Sequence, residues 1–296
     1  MKKEKIKNLL YFIGKSLGIL GLLFIFYKLS QEYTWSSFTE QFILLIPIVP
    51  LLILLNLASL LLGIYGWHLI LLHYAQRHFP YLSSYYYFSK TEIAKYLPGN
   101  IFHFVGRQAL ASRIGLTQTH MAKISLLHAL FLLTGTLLVS TVFAWFTPDT
   151  PLFILLLMAL STIVAFMVLV YLYPSFPFKL KFSLNIQFAI SIALQGCMLG
   201  AIVLYQTNTD AIDLFFQCIS IYTISWLIGF VTPGASGGLG VREGAFIAIS
   251  SYLQINISEE IIIFSVLLTR LINILVDILL YLSTYMIQPK SVKETP

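Results

Sequence analysis

The chain has 296 residues, 58% of them hydrophobic and only 10% charged, with a mean hydropathy of +0.86. A soluble domain carries roughly 25% charged residues, so the composition excludes a soluble globular protein and points to a single integral membrane domain over 1–296. The formal net charge of +6 does not indicate nucleic-acid binding, because the basic residues fall in short segments beside apolar runs, as cytoplasmic loops and lipid-facing borders do.

In chain order, Lys2, Lys3, Lys5 and Lys7 precede a first apolar run over about 9–29. The run lacks a small-residue cleavage site and reads as an uncleaved span with a cytoplasmic N-terminus. The following loop carries Glu32 and Glu40 but no Lys or Arg, and a second span over about 42–69, with Pro47 and Pro50 near its start and Asn56 inside, returns near Arg77. Residues 80–123 are neither apolar enough to span nor polar enough to be free. Tyr85, Tyr86, Tyr87 and Phe88 lead to Glu92 and Lys95, one helical turn apart, and to Pro98-Gly99. The expectation is an interfacial helix followed by a re-entrant helix, with a surface-lying amphipathic hairpin as the alternative. Arg107, Arg113 and Lys123 hold this segment on the cytoplasmic side.

Further spans are expected over about 124–146, 152–173, 184–205 and 212–231. The connections with Asp149, and with Asp210 and Asp213, carry acid and no base, whereas Lys179 and Lys181 lie on the opposite side. The whole is an all-α polytopic helix bundle of about 7–8 crossings. His128, Gln195 and Asn56 are single polar residues on apolar helices and read as helix-to-helix hydrogen bonds. Cys197 and Cys218 read as unpaired core thiols.

Residues 230–246, FVTPGASGGLGVREGAF, hold five of the 17 glycines, a proline and the adjacent charges Arg242 and Glu243. Pro233, Gly234, Gly237, Gly238 and Gly240 oppose a regular helix. Unwound backbone at membrane depth is tolerated only where protein or water covers it, so a break here suggests a cavity. A helix restarting near Val241 would turn its free N–H groups into that cavity and favour an anion, with Arg242 in its first turn. An ordinary surface turn is the competing reading.

The chain's two Pro-Gly dipeptides, Pro98-Gly99 and Pro233-Gly234, are each followed nine residues after the proline by an arginine, Arg107 and Arg242, with Gly106 or Gly240 shortly before it. This suggests an internal repeat with halves of about 42–146 and 184–287. Residues 233–253 are expected to cross as a broken helix, followed by a last span over about 261–287; a second re-entrant element is the alternative. Both Pro-Gly elements then start from the cytoplasmic side, which favours parallel over inverted symmetry. In the last span Arg270, Asn273 and Asp277 share one helical face. Charges at that depth cost several kcal/mol unless they pair or line a path. Either an Arg270–Asp277 arrangement, with Glu243 or Arg242, locks helices together, or Arg270 joins Arg242 in reading phosphate while Asp277 or Glu243 balances the charge.

The segment 232–244 (TPGASGGLGVREG), with KYLPG (95–99) ahead of Arg107, resembles the membrane (flippase) domain of the bacterial lysylphosphatidylglycerol synthase/flippase family, the multiple peptide resistance factors, in its stand-alone form. The resemblance covers almost the whole chain; its specific part is the second motif. It implies a flippase moving an aminoacylated or otherwise polar lipid across the bacterial cytoplasmic membrane, with membrane lipids and a separately encoded lipid-modifying enzyme as partners. Full-length relatives continue into a soluble aminoacyl-transfer domain, whereas this sequence runs to Pro296 shortly after its last apolar segment. On the combined reading Arg107 and Arg242 contact phosphate. Pro98, Gly99 and 233–240 form the broken backbone, and Glu243, Arg270, Asn273 and Asp277 form the charge network. The sequence shows no metal-ligand spacing, nucleotide motif or nucleophile–base pair, so no cofactor, metal or enzymatic activity is expected. The alternatives are a secondary transporter of a small anion, a membrane scaffold for a separately encoded lipid-modifying or glycosyl-transferring enzyme, and, by the family name, a phosphatidylglycerol lysyltransferase.

Overall fold

A computed structural model describes residues 35–75, 79–96, 102–147, 150–209, 211–233, 236–255 and 257–287. The expected first span, Arg77, Pro98, Gly99, Asp149, Asp210 and Gly234 lie outside the described residues. Among the described residues all regular structure is helical: α1 (Trp35–Leu45), α2 (Val49–Ala75), α3 (Tyr81–Glu92), α4 (Phe102–Leu110), α5 (Gln118–Trp145), α6 (Leu152–Leu172), α7 (Phe178–Thr207), α8 (Ile212–Val231), α9 (Val241–Tyr252) and α10 (Glu259–Ser283). Among the described residues six helical stretches are long and apolar enough to cross a membrane: Thr39–Ala75, Gln118–Trp145, Leu152–Leu172, Phe178–Thr207, Ile212–Val231 and Glu259–Met286. The protein is an all-α polytopic membrane bundle.

The helices overrun the apolar stretches because local chemistry sets their ends. Thr117 Oγ1 accepts from the His120 N–H at 3.1 Å and starts α5 six residues before its apolar run. Pro177, with φ −57°, precedes α7 and starts it before Lys179 and Lys181. Pro47 confines the backbone between α1 and α2 to a 3₁₀ turn, Ile46–Ile48. Lys181 Nζ donates to the Val170 carbonyl at 3.3 Å, satisfying an end of α6.

Helix α7 is the hub, packed against α2, α5, α8 and α10. Small residues let the backbones approach: a Cβ on Gly135 of α5 would lie 2.8 Å from the Ala189 nitrogen, and one on Gly196 would lie 2.9 Å from Ile219 of α8. Helix α6 lies outside this hub against α5 and buries only Leu155 and Leu169, leaving the rest of its apolar surface for lipid. Cys197 and Cys218 are unpaired.

The contacts fix the direction of every helix. Ser59 of α2 meets Ser191 of α7, and Gly66 meets Phe188, so the two run antiparallel. The α5–α6, α7–α8 and α9–α10 connections gather around one surface depression that includes Pro151, Asp213 and Leu253. This end holds Glu40, Asp213, Glu259 and Glu260 and no described Lys or Arg; Lys90, Arg113, Lys123, Lys179 and Lys181 lie toward the other.

Two segments enter the bundle without crossing it as whole helices. Helices α3 and α4 form a hairpin that dips in from the basic end, placing His103 and Arg107 among buried side chains beside His128 of α5. The hairpin is therefore inserted, and the surface-lying alternative is not adopted. Helix α9 has 12 residues, about 18 Å, short of the roughly 30 Å of a bilayer core. It starts beside Trp226 and ends at the acidic end, so the chain from 232 to 253 returns as a broken helix and α10 runs back to the basic end. That is the broken-crossing layout. The parallel relation expected between the two Pro-Gly elements needs correction. Helix α4 runs from the interior to the basic end and α9 from the interior to the acidic end, because α3 stops halfway whereas α8 traverses the bundle before its break.

Candidate functional site

The break after α8 is built from glycine. Gly237, Gly238 and Gly240 have φ of +55°, +74° and +78°, a region that costs other L-residues about 1–2 kcal/mol each. The same glycines leave room for Arg242, since a Cβ on Gly238 would lie 2.5 Å from its Nε and one on Gly229 would strike its side chain. Arg242 therefore lies along α8 with its guanidinium 5.0 Å over the Trp226 ring. The buried carbonyl of Gly237 is satisfied by Arg270 Nη2 at 2.7 Å.

The other break touches this one. After α3 the chain makes a 3₁₀ turn, Ile93–Tyr96, which packs against the glycine turn. Lys95 Nζ lies 2.8 Å from Asp277 Oδ2, and Tyr96 Oη donates to the same oxygen at 2.6 Å. Lys95 also reaches Glu92 at 3.3 Å, and Glu92 takes Arg107 Nη2 at 2.7 Å. The result is a chain of alternating charge, Arg107–Glu92–Lys95–Asp277, that ties the inserted hairpin to α10. Outside the six spanning helices, burial acts to raise the Glu92 carboxyl, but the Lys95 and Arg107 charges outweigh it and hold it at about 2. Burial also lowers the His103 imidazole to about 4, so this side chain is neutral at physiological pH.

Between the breaks lies a void of about 110 Å³, lined by α2 through Ser59, α5 through His128, α7 through Gln195 and α8 through Trp226, with Lys95, Arg242 and Asp277 among its polar walls. Helices α4 and α9 both begin at this void, coming to it from opposite ends of the bundle. Their free N–H ends supply positive potential there. His103 and Arg242 stand in their first turns.

Most of the expected site residues converge here. Arg242, Arg270, Asn273, Asp277, Arg107 and Gly237 line the void, while Glu243 lines a smaller adjoining one with Arg242 and Arg270. Two roles change. Arg107 is 2% exposed, lies 4.3 Å from the Phe88 ring and donates Nη2 to Glu92, which makes it a pin of the inserted hairpin. Arg270 does not pair with Asp277; it holds the Gly237 carbonyl and approaches Glu243 at 3.8 Å. Arg242 has no hydrogen bond or ion pair among the described residues. Pro233 ends α8, and Gly238 and Gly240 shape the turn.

The single polar residues do join helices. Asn56 Nδ2 donates to Asn273 Oδ1, and Gln195 bridges Ser59 and Tyr222 at 3.0 and 2.9 Å. His128 Nδ1 lies 3.4 Å from Arg107 Nη1. Sequence reasoning missed Tyr96, His103 and Trp226 as parts of the site. The signal for His103 was its place four residues before Arg107, which puts both on one face of α4; Trp226 had no local signal. Searched against known protein families, the sequence matches none. No curated protein is significantly similar to it.

Proposed function

We propose that the chain is a lipid flippase of the bacterial cytoplasmic membrane that shelters an anionic headgroup in the central void while the acyl tails stay in the bilayer. The observation that carries this reading is Arg242, a guanidinium with no hydrogen-bond or ion-pair partner among the described residues, placed where two broken helical elements converge. A charge inside a bilayer bundle normally pairs, so an unpaired one at a void is suited to a ligand anion. Arginine suits phosphate because its planar fork makes two parallel hydrogen bonds. The resemblance of 232–244 to the multiple peptide resistance factors supports the same reading. By the positive-inside rule the basic end faces the cytoplasm, and with a first span over 9–29 the N-terminus does too.

A secondary transporter of a small anion would use the same breaks and the same arginine, whereas a scaffold would need neither. Translocation of headgroup-labelled lipids in proteoliposomes, with soluble anions as competitors, separates them. The flippase moves lipid without competition from soluble anions; the small-anion transporter moves no lipid but takes up a labelled soluble anion in the same proteoliposomes; the scaffold moves neither.

A further inference from the structure

The charges around the breaks do not balance among the described residues. Glu92, Asp277 and Glu243 are three carboxylates. Arg107, Lys95 and Arg270 lie 2.7, 2.8 and 3.8 Å from one each. Arg242 is left over. A second donor is also open: His103 is 8% exposed, lines the void, has a buried Nδ1 without a partner and makes no hydrogen bond among the described residues. An acceptor residue, Asp277, lines the same void. Asp277 Oδ2 holds Lys95 and Tyr96, but Asp277 Oδ1 is buried and unpartnered. Glu243 Oε2 is unpartnered as well, but Glu243 lines the smaller adjoining void.

A carboxylate already neutralised by an ammonium accepts a neutral hydroxyl; with the phosphate held by Arg242, a second cation there would find Asp277 already paired with Lys95 and would face two helix N-termini, whose potential is positive. Resting on the flippase reading, we propose that the void selects phosphodiester headgroups bearing hydroxyls and rejects those bearing an ammonium. The phosphate is taken by Arg242 and His103, and a headgroup hydroxyl donates to Asp277 Oδ1. This assignment departs from the aminoacylated headgroup that the family resemblance implies.

The test is equilibrium binding to purified protein in neutral detergent, read by thermal stabilisation. The ligands are short-chain phosphatidylglycerol, phosphatidylethanolamine and lysyl-phosphatidylglycerol, with free glycerol phosphate as the soluble source of the same chemistry. Phosphatidylglycerol is expected to bind at least about tenfold more tightly than either amine-bearing lipid. Arg242→Gln removes that preference, Arg242→Lys keeps part of it, and His103→Gln weakens phosphatidylglycerol binding on its own, which preserves the test if Arg242→Gln does not fold. Equal or tighter binding of an amine-bearing lipid overturns the headgroup assignment and leaves the flippase reading standing. Glycerol phosphate binding as tightly as the lipid supports the headgroup chemistry but overturns the lipid reading. Binding of none of the four to folded wild-type protein overturns the proposal.

Discussion

Lys95 Nζ sits 2.8 Å from Asp277 Oδ2, joining the turn at the tip of the inserted hairpin to the middle of the last spanning helix. Asp277 is almost fully enclosed, whereas Lys95 keeps about a fifth of its side chain exposed, so the contact is a partly desolvated clamp between two parts of the chain.

Breaking one side of this clamp leaves a buried charge alone. Lys95→Met is expected to destabilise the protein by about 3 kcal/mol, and the double variant Lys95→Met with Asp277→Asn to recover most of that loss. Thermal unfolding of the two single variants and the double variant in detergent measures the coupling; additive effects would show that the two side chains do not interact.

Arg107 and Arg242 should separate cleanly. Arg107→Ala removes the closer of the two cations on Glu92 and empties a buried site, and is expected to lower stability by about 3 kcal/mol. Arg242→Ala removes a side chain with no ionic partner and is expected to cost less than about 1 kcal/mol, mainly the stacking on Trp226. Melting temperatures of the two variants, compared side by side, check the order.

Glycines on the two sides of the break differ in the same way. Gly238→Ala places a side chain at φ +74° against Arg242 and is expected to lose about 1–2 kcal/mol or more. A Cβ on Gly244 meets nothing within 4 Å, so Gly244→Ala in α9 is expected to be neutral or to stabilise by up to about 1 kcal/mol. Thermal unfolding distinguishes these outcomes.

Acid should loosen the inserted hairpin in two stages. His103 has its affinity for protons lowered in the folded state, from 6.5 to about 4, so the stability linked to it is complete above pH 6.5 and declines as pH falls toward 4. Glu92 is lowered from 4.5 to about 2, so its contribution declines between those values. His103→Gln is expected to flatten the first stage and leave the second. A stability–pH curve unchanged by this substitution above pH 4.5 would contradict the assignment.

The spans were legible because runs of about 20 apolar residues have few other uses. Their ends were not, because Thr117 and Pro177 extend helices into polar sequence that hydropathy alone assigns to loops. Helical spacing placed Arg270, Asn273 and Asp277 on one face, and the fold agrees, but spacing says nothing about the element opposite. Asp277 is bound by Tyr96 from 181 residues away. Arg107 and Arg242 look alike in sequence, each nine residues after a proline, yet they differ in context. The α3–α4 hairpin folds Glu92 back onto Arg107, while the carboxylate next to Arg242, Glu243, approaches Arg270. Pairing of this kind is decided by tertiary contacts and cannot be read from a local motif.

The most direct measurement is the translocation of a headgroup-labelled anionic phospholipid in proteoliposomes holding wild-type protein or Arg242→Ala. The account predicts movement by the wild type, slowed at least about tenfold in the variant, with no change in fold. Undiminished movement by a folded Arg242→Ala protein would contradict it.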